Sequence, residues 1–207
     1  MPGAHAATRD DIVDVALRLL EQDGVEAVTM RRLAAELGTS YQVVYSRVGG
    51  KPDVLRAVHD EGFRRLSDPA GLAGLSAAGG EAQALRRLAV AYLDFAVENP
   101  RLFDLMFGDP MAGPGRDEAM REVEWAAFRA CWVTPTRAWL DRTHPERPRG
   151  SAVRLAWRLW SAVHGITVLH LAGHGSPAGD VRAEVAETVD LLLAGPLRPS
   201  RGRSPWG

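Results

Sequence analysis

The chain has 207 residues, of which 46% are apolar and 25% charged, and its formal net charge is −1. This length predicts one large or two small domains with a buried core, and the balanced charge excludes a polybasic protein. Because Cys131 is the only cysteine, an intramolecular disulfide framework is excluded and a reducing cytoplasm is expected. Neither a membrane span nor a signal peptide is predicted, since every apolar run is short or interrupted by charge.

The first 66 residues predict four short helices. The polar residues Thr8, Thr29 and Ser40 each precede an apolar helical stripe and can cap it, and Gly24 and Gly38 follow as stops. Pro52 suits the first turn of the fourth helix. The second, third and fourth predicted helices cover Met30–Leu37, Tyr41–Ser46 and Lys51–Leu66.

Helical periodicity continues to the end of the chain, and no segment alternates with the two-residue period of a strand. We therefore expect an all-α fold of about nine helices, and Pro135 should kink or divide the seventh. Loops are predicted at Ser67–Gly80, Gly108–Gly115 and Thr143–Gly150. The further predicted helices are Glu81–Glu98, Arg101–Phe107, Asp117–Arg142, Ser151–Gly173 and Asp180–Leu193. The predicted domains are 1–66 and 67–197, followed by a flexible tail at 198–207.

The segment Thr29–Leu55 has the layout of a helix-turn-helix, with two short helices joined by Leu37-Gly38-Thr39. Apolar residues can form a small core between these helices: Leu33, Ala34, Leu37, Val44 and Val48. Short polar, amide and aromatic side chains remain outside on the second helix: Ser40, Tyr41, Gln42, Val43 and Tyr45. Such a face suits the major groove of DNA better than a charged, solvated helix face would.

Residues 9–66 resemble the DNA-binding domain of the TetR family of bacterial transcriptional regulators. The resemblance is carried by Thr-x-Arg-x-Leu-Ala-x-x-Leu-Gly from Thr29, by the recognition helix with Tyr45 and by Lys51 at the fourth helix. Arg47 and Val48 stand where many family members have His-Phe. The resemblance implies that the following residues contact DNA: Thr29, Arg31, Ser40, Tyr41, Gln42, Val43, Tyr45 and Lys51. The alternative is a helical bundle with an accidental Leu-Gly turn.

Within this set, the resemblance implies base contacts from Tyr41, Gln42 and Val43. An amide such as Gln42 can bridge adenine N6 and N7, and Val43 can pack on a thymine methyl group. Ser40 and Tyr45 would donate to phosphate, and Lys51 would reach another phosphate. Thr29 and Arg31 would lie near phosphate or a base edge. Tyr41 could instead contact phosphate or serve only in packing.

Trp160-Ser-Ala-Val-His164-Gly165 resembles the signature of a WHG-type C-terminal domain of the same family, and Asn99–Gly108 resembles its matching segment. That resemblance implies a homodimer in which the last two long helices pair with those of a second copy. The residues expected at this interface are Val153, Trp157, Val163, Val181, Val185, Val189 and Leu192. Alternatively, both faces of these helices belong to the core of one subunit.

Five of the six tryptophans lie between Trp125 and Trp160. We expect large side chains to line a cavity for an apolar or aromatic effector: Phe103, Met106, Phe107, Trp125, Phe128, Trp132, Trp160 and His164. Tyr92 and Phe95 are expected nearby, on a neighbouring helix. A core that is simply filled by large residues is the alternative.

His170 and His174 have the four-residue spacing of a two-histidine metal site, but no Glu or Cys completes a ligand set. We therefore expect no metal and no cofactor. The chain also lacks Gly-x-Ser-x-Gly and a phosphate-binding loop, so no enzyme is expected. The predicted function is a ligand-responsive repressor that binds a palindromic operator as a homodimer. The alternative is an all-α small-molecule-binding protein or enzyme without DNA binding.

Overall fold

The computed structural model describes residues 7–68, 79–108, 117–148, 150–177 and 179–195. These ranges contain helices and no strand, which confirms the predicted all-α class. None of the helices in them combines the length and the hydropathy that a membrane crossing requires. Most of the predicted loops at Ser67–Gly80 and Gly108–Gly115, and the predicted tail at 198–207, lie outside the described residues.

Within the described ranges the chain forms ten α-helices. They are α1 (Arg9–Asp23), α2 (Met30–Glu36), α3 (Tyr41–Val48), α4 (Lys51–Ser67), α5 (Glu81–Glu98), α6 (Pro100–Phe107), α7 (Glu118–Phe128), α8 (Thr134–Thr143), α9 (Gly150–Leu171) and α10 (Val181–Ala194). A short 3₁₀ turn, Val25–Ala27, lies between α1 and α2, and a π-helical turn, Arg129–Val133, joins α7 to α8.

The polar cap residues determine where the first helices begin. Thr8 and Asp11 form a reciprocal capping box at α1, in which the Asp11 amide donates to Thr8 Oγ1 at 3.1 Å and the Thr8 amide donates to Asp11 at 2.8 Å. Thr29 caps α2 and Ser40 caps α3. Each does so with a single hydrogen bond, in which the side-chain oxygen accepts a backbone N–H of the first turn. All three predicted caps are therefore confirmed. The third helix extends two residues beyond the predicted Ser46.

The described helices form two compact units. The first comprises residues 1–65 and 99–124, so it contains α6 and part of α7 besides the four N-terminal helices. The predicted first domain was confined to residues 1–66. The additional segment is attached to α1 by Glu21, whose side chain accepts the Leu102 amide at 2.6 Å, and by Arg101, which donates to the Glu21 carbonyl at 3.0 Å.

The second unit comprises residues 66–98 and 125–207 and contains α5, α8, α9 and α10. Leu85, Leu93 and Leu159 are among its fully buried side chains. Two ion pairs connect α5 to α10: Arg86 to Asp190 at 2.5 Å and Arg182 to Asp94 at 2.7 Å. These contacts hold the last helix against α5.

The sequence predicted that Pro135 would kink or divide a long helix, and the structure divides this segment into α7, a π-helical turn and α8. The π-helical turn directly precedes the proline, and the Thr134 amide bonds to the Arg129 carbonyl, five residues back. Proline has no N–H to donate and clashes with the carbonyl four residues before it. Widening the preceding turn provides room for the ring, so the backbone is distorted at this place while it remains helical.

Candidate nucleic-acid interface

A small apolar core holds α2 and α3 against each other. Leu33 and Val44 are fully buried, and Ala34 is 5% exposed, which allows the two helices to approach closely. Leu37 and Val48, which were predicted to belong to the same core, are only half-buried. The prediction of a two-helix core is therefore confirmed for its three central residues, and the other two lie at its edge.

The turn between α2 and α3 depends on Gly38. Its φ of +60° lies in the left-handed region, which is unfavourable for residues with a Cβ atom. The Thr39 amide then bonds to the Ala34 carbonyl at 2.9 Å, and the Gly38 amide bonds to the Ala35 carbonyl at 3.2 Å. These bonds satisfy carbonyls at the end of α2 before the chain enters α3.

The outward face of α3 carries polar and aromatic side chains. Tyr41 and Tyr45 are 49% and 54% exposed, and Gln42 is also exposed. The two tyrosine rings stack on each other, with centroids 6.1 Å apart and planes inclined by 16°. Val43 is half-buried, although it was expected outside. Ser40 is exposed, and its hydroxyl oxygen accepts the Val43 amide at 3.3 Å.

The remaining predicted DNA contacts lie at the ends of neighbouring helices. Thr29 is exposed at the start of α2, where its hydroxyl accepts the Arg32 amide at 3.3 Å, and Arg31 is exposed one residue inside the helix. Lys51 begins α4, and its ammonium group pairs with the highly exposed Glu26 at 3.3 Å. Exposed pairs of this kind contribute little to stability, so a phosphate group could replace Glu26 at little cost.

Acidic side chains engage most of the cations around α2. Arg18 pairs with Glu36 at 2.9 Å, and Arg32 pairs with Asp23 at 2.5 Å. The sequence analysis did not predict these pairs, since their members are separated along the chain and only the fold brings them together. Residues 1–66 carry one more acidic than basic side chain. Non-specific attraction to DNA is therefore expected to be weak, and affinity must come from a few well-placed donors.

The second unit contains a connected cluster of aromatic side chains, here called the aromatic cluster and defined by Tyr92, Trp125, Phe128, Trp132, Trp157, Trp160 and His164. The ring centroids of neighbouring members lie 5.1 to 6.3 Å apart. Trp132 and Tyr92 are buried, whereas Trp157 is 43% exposed. The cluster therefore extends from the core of this unit to its surface.

A buried hydroxyl group lies at the centre of the aromatic cluster. Trp160 Nε1 donates to Tyr92 Oη at 3.2 Å, and Tyr92 Oη lies 2.9 Å from His164 Nδ1. Burial raises the pKa of Tyr92 above its ordinary value and lowers the pKa of His164. Both shifts favour the neutral forms, so a neutral imidazole can accept the tyrosine proton in a hydrogen bond. Sequence patterns indicated the apolar side of α5 but not this long-range contact.

Two family descriptions match the chain. Residues 12–58 match "Bacterial regulatory proteins, tetR family", and residues 85–192 match "Tetracyclin repressor-like, C-terminal domain". Together with the helix-turn-helix geometry, these matches decide the family. The chain belongs to the TetR family. Members of this family are DNA-binding regulators and not enzymes.

Relatives of this TetR-family chain are named HTH-type transcriptional regulators or repressors. It is 33% identical over 116 residues to the HTH-type transcriptional repressor DrrR1 of Streptomyces coeruleorubidus; the match covers 56% of this chain but only 42% of that protein. It is 27% identical over 167 residues to an uncharacterized HTH-type transcriptional regulator of Mycobacterium tuberculosis, with 80% of this chain and 71% of that protein covered.

Solved structures share the fold. A protein of unknown function from Rhodococcus sp. RHA1 superposes with a TM-score of 0.73 at 27% identity and covers 91% of this chain and 96% of its own. A tetR-family transcriptional regulator from Streptomyces coelicolor superposes with a TM-score of 0.71 at 22% identity, with 90% and 80% covered. At this identity the second likeness concerns the fold alone.

The predicted effector-pocket residues are divided between the two units. Phe103, Met106 and Phe107 belong to the first unit, where the Phe107 ring contacts Phe103 at 4.8 Å and Phe63 at 5.2 Å. The other five belong to the aromatic cluster of the second unit: Trp125, Phe128, Trp132, Trp160 and His164. Both groups pack closely, ring against ring.

The predicted dimer residues also divide into two groups. Val163, Val185 and Val189 are fully buried within their own chain, so the structure assigns them to the intramolecular core and not to a surface. Trp157 is exposed, and Val153, Val181 and Leu192 are half-buried. The periodic pattern identified apolar positions correctly but could not show which side of each helix faces its own subunit.

An exposed stripe on α9 was not predicted as such. Trp157, Ser161, Gly165 and Leu169 follow one another at four-residue spacing, and all four are exposed. Leu191 on α10 is 74% exposed, the highest value among the large apolar side chains in the described part of the chain. Four-residue spacing places side chains on one helix face, so the four α9 residues form a stripe of small and apolar groups.

His170, His174 and Cys131 have ordinary surroundings. His170 is half-buried and His174 exposed, and the described residues contain no group of three or more side chains suited to a metal ion. Cys131 is buried in the π-helical turn and donates to the Leu66 carbonyl at 3.2 Å. Burial raises the pKa of this thiol to about 12, which keeps it protonated at neutral pH.

Proposed function

We propose that this chain is a transcriptional regulator that binds duplex DNA by placing α3 in the major groove. The observation that carries the proposal is the outward face of α3, where Tyr41, Gln42 and Tyr45 are exposed while the turn and the small core hold the other side of the helix against α2. A helix presented in this way has the dimensions that the major groove admits. The similarity to a protein named a repressor favours repression over activation.

Each predicted contact has a distinct proposed role. Tyr41, Gln42 and Val43 face base edges, and Tyr45 and Ser40 donate to phosphate groups. Thr29, Arg31 and Lys51 approach the DNA backbone from the starts of α2 and α4; the amides at such helix ends also favour anions. Val43 is half-buried, so only the exposed part of its side chain could reach a base.

Two copies would bind one operator. The exposed α9 stripe with Trp157 and Leu169, together with Leu191, offers the apolar surface through which helices of two copies could pair. A dimer would set its two recognition helices about 34–36 Å apart, which is one turn of DNA, and would prefer a palindrome. Leu191→Arg should convert dimer to monomer in sedimentation equilibrium, whereas Ala138→Arg, at an exposed position of α8, should not.

The aromatic cluster is the proposed effector site. Its five predicted members, Trp125, Phe128, Trp132, Trp160 and His164, supply apolar ring surface, and the Tyr92 hydroxyl supplies a polar anchor. An effector lowers operator affinity only if it binds the DNA-free conformation of the protein more tightly than the DNA-bound conformation. A tenfold loss requires a difference of about 1.4 kcal/mol between the two states.

The decisive experiment selects DNA with the purified full chain. Random duplexes should be retained at moderate salt and enriched, over successive rounds, to one palindromic sequence. Tyr45→Phe should then weaken binding to that sequence without altering thermal unfolding, because it removes one phosphate hydrogen bond at an exposed site. Retention without any sequence preference would refute the regulator and favour the alternative, an all-α small-molecule-binding protein.

A further inference from the structure

We infer that the base pairs read by α3 are A·T pairs, recognised through thymine methyl groups and adenine edges. This inference rests on the proposed function, because it concerns the chemistry of the same surface. The structure supports it in two ways: the face of α3 that carries Tyr41 and Gln42 presents no cation, and it presents a stacked pair of tyrosine rings. Each observation favours A·T over G·C pairs.

The absence of a cation on this face argues against guanine. The commonest specific contact to guanine is a bidentate one from Arg or Lys to O6 and N7. Arg47 is the only basic residue of α3, and it lies in the last turn. At 3.6 residues per turn it points about 120° away from Tyr41 and about 140° away from Gln42. It therefore lies outside the face that Tyr41, Gln42 and Tyr45 share.

Nearby helices do not compensate for this lack. Arg32 belongs to α2 and Lys51 to the start of α4, so neither lies on the face of α3, and both are engaged in exposed ion pairs. Arg31 is exposed, but it belongs to α2, and the first helix of a helix-turn-helix crosses the DNA backbone and does not enter the groove. The cations around α3 are consequently placed for phosphate groups, which carry no sequence information directly.

The groups that α3 does present suit A·T pairs. The rings of Tyr41 and Tyr45 stack with their planes only 16° apart, so they form one apolar plate with about half of each side chain exposed. Ordering a pair of exposed rings before binding lowers the entropy lost on contact. In the major groove the one apolar feature of a base pair is the thymine methyl group, and a glutamine amide pairs with adenine N6 and N7.

The first test is the composition of the selected operator. After enrichment with the full chain, the positions whose preference is relaxed by Gln42→Ala or Tyr41→Ala define the bases read by α3. These positions should be A·T pairs. G·C pairs there, in an otherwise well-defined palindrome, would overturn the inference and leave the proposed function intact. Failure to enrich any sequence would overturn both.

The second test removes only the methyl groups. Deoxyuridine replaces thymine at each of those positions, which leaves every hydrogen bond in place. Binding should weaken about fourfold per contacted methyl group, as expected for loss of one buried methyl. Tyr41→Phe should keep this sensitivity, since it retains the ring, and Tyr41→Ala should lose it. An unchanged affinity of the wild-type chain for the deoxyuridine duplex would overturn the inference.

A matched control separates readout from general weakening. Gln22→Ala removes the same amide from an exposed site on α1, and it should leave both affinity and sequence preference unchanged. Gln42→Ala should weaken binding to the selected operator about fivefold or more and reduce the preference at one position, as for loss of a bidentate adenine contact. A uniform loss across all sequences would show that Gln42 contacts the backbone, contrary to the inference.

Discussion

Replacing Glu21 by alanine should destabilise the first unit. The Glu21 carboxylate, at the end of α1, accepts the amide of Leu102, the third residue of α6, at 2.6 Å. The cap residue of α6, Asn99, makes no capping hydrogen bond with its side chain. Glu21 therefore performs for α6 the task that a cap residue usually performs, from a position 81 residues away. In Glu21→Ala the Leu102 amide loses its acceptor at a part-buried site.

The expected magnitude follows from two estimates of the same contact. Removing a side-chain cap costs about 0.5–2 kcal/mol, and leaving a buried donor without an acceptor costs about 1–3 kcal/mol. Because both describe one lost hydrogen bond, we expect the free energy of unfolding to fall by about 1–2 kcal/mol. Glu21→Gln keeps an oxygen acceptor and loses only the charge at the helix N-terminus, so its loss should be about 0.3–1 kcal/mol.

Urea unfolding, followed by circular dichroism at one fixed protein concentration, measures these differences. Gln22→Ala is the matched control, because it truncates the neighbouring exposed side chain of the same helix. The unfolding midpoint should decrease in the order wild type, Glu21→Gln, Glu21→Ala, with Gln22→Ala close to wild type. Equal midpoints for Glu21→Ala and Gln22→Ala would show that the α1–α6 bond contributes nothing, which would refute the reasoning.

Three further outcomes are expected. Leu33→Ala should lower the free energy of unfolding by about 2–5 kcal/mol, because Leu33 is fully buried in the core between α2 and α3. A smaller loss would contradict the close packing of Leu33 in this core. Burial lowers the pKa of His164 below its ordinary value of 6.5, so protonation of this side chain favours the unfolded state. The melting temperature of the wild-type chain should therefore fall as the pH drops below about 6.5, and it should fall less steeply in the His164→Gln variant. Because Cys131 is buried and its pKa is raised, its alkylation at pH 8 should occur only as fast as the protein unfolds. Rapid labelling of the folded protein would contradict the burial of this thiol.

Local physical chemistry made much of the fold predictable from the sequence. Helix starts at Thr8, Thr29 and Ser40 were predictable because a hydroxyl oxygen that accepts an amide three residues later acts within one turn. The turn at Gly38 was predictable because the left-handed region tolerates a residue without Cβ. The exposure of Tyr41, Gln42 and Tyr45 on α3 was predictable in the same way, since a short helix with a few buried positions leaves its other face outside. That these residues contact DNA was implied by the family resemblance and stays a prediction.

Tertiary structure decided what depends on partners distant in the chain. Periodicity marked Val163, Val185 and Val189 as apolar, but only the fold shows that they face their own subunit. The division of the aromatic residues between two units was equally beyond the sequence, as was the capture of cations by distant carboxylates. Helical spacing states which residues share a face, whereas the neighbour of that face is set by how all the helices pack together.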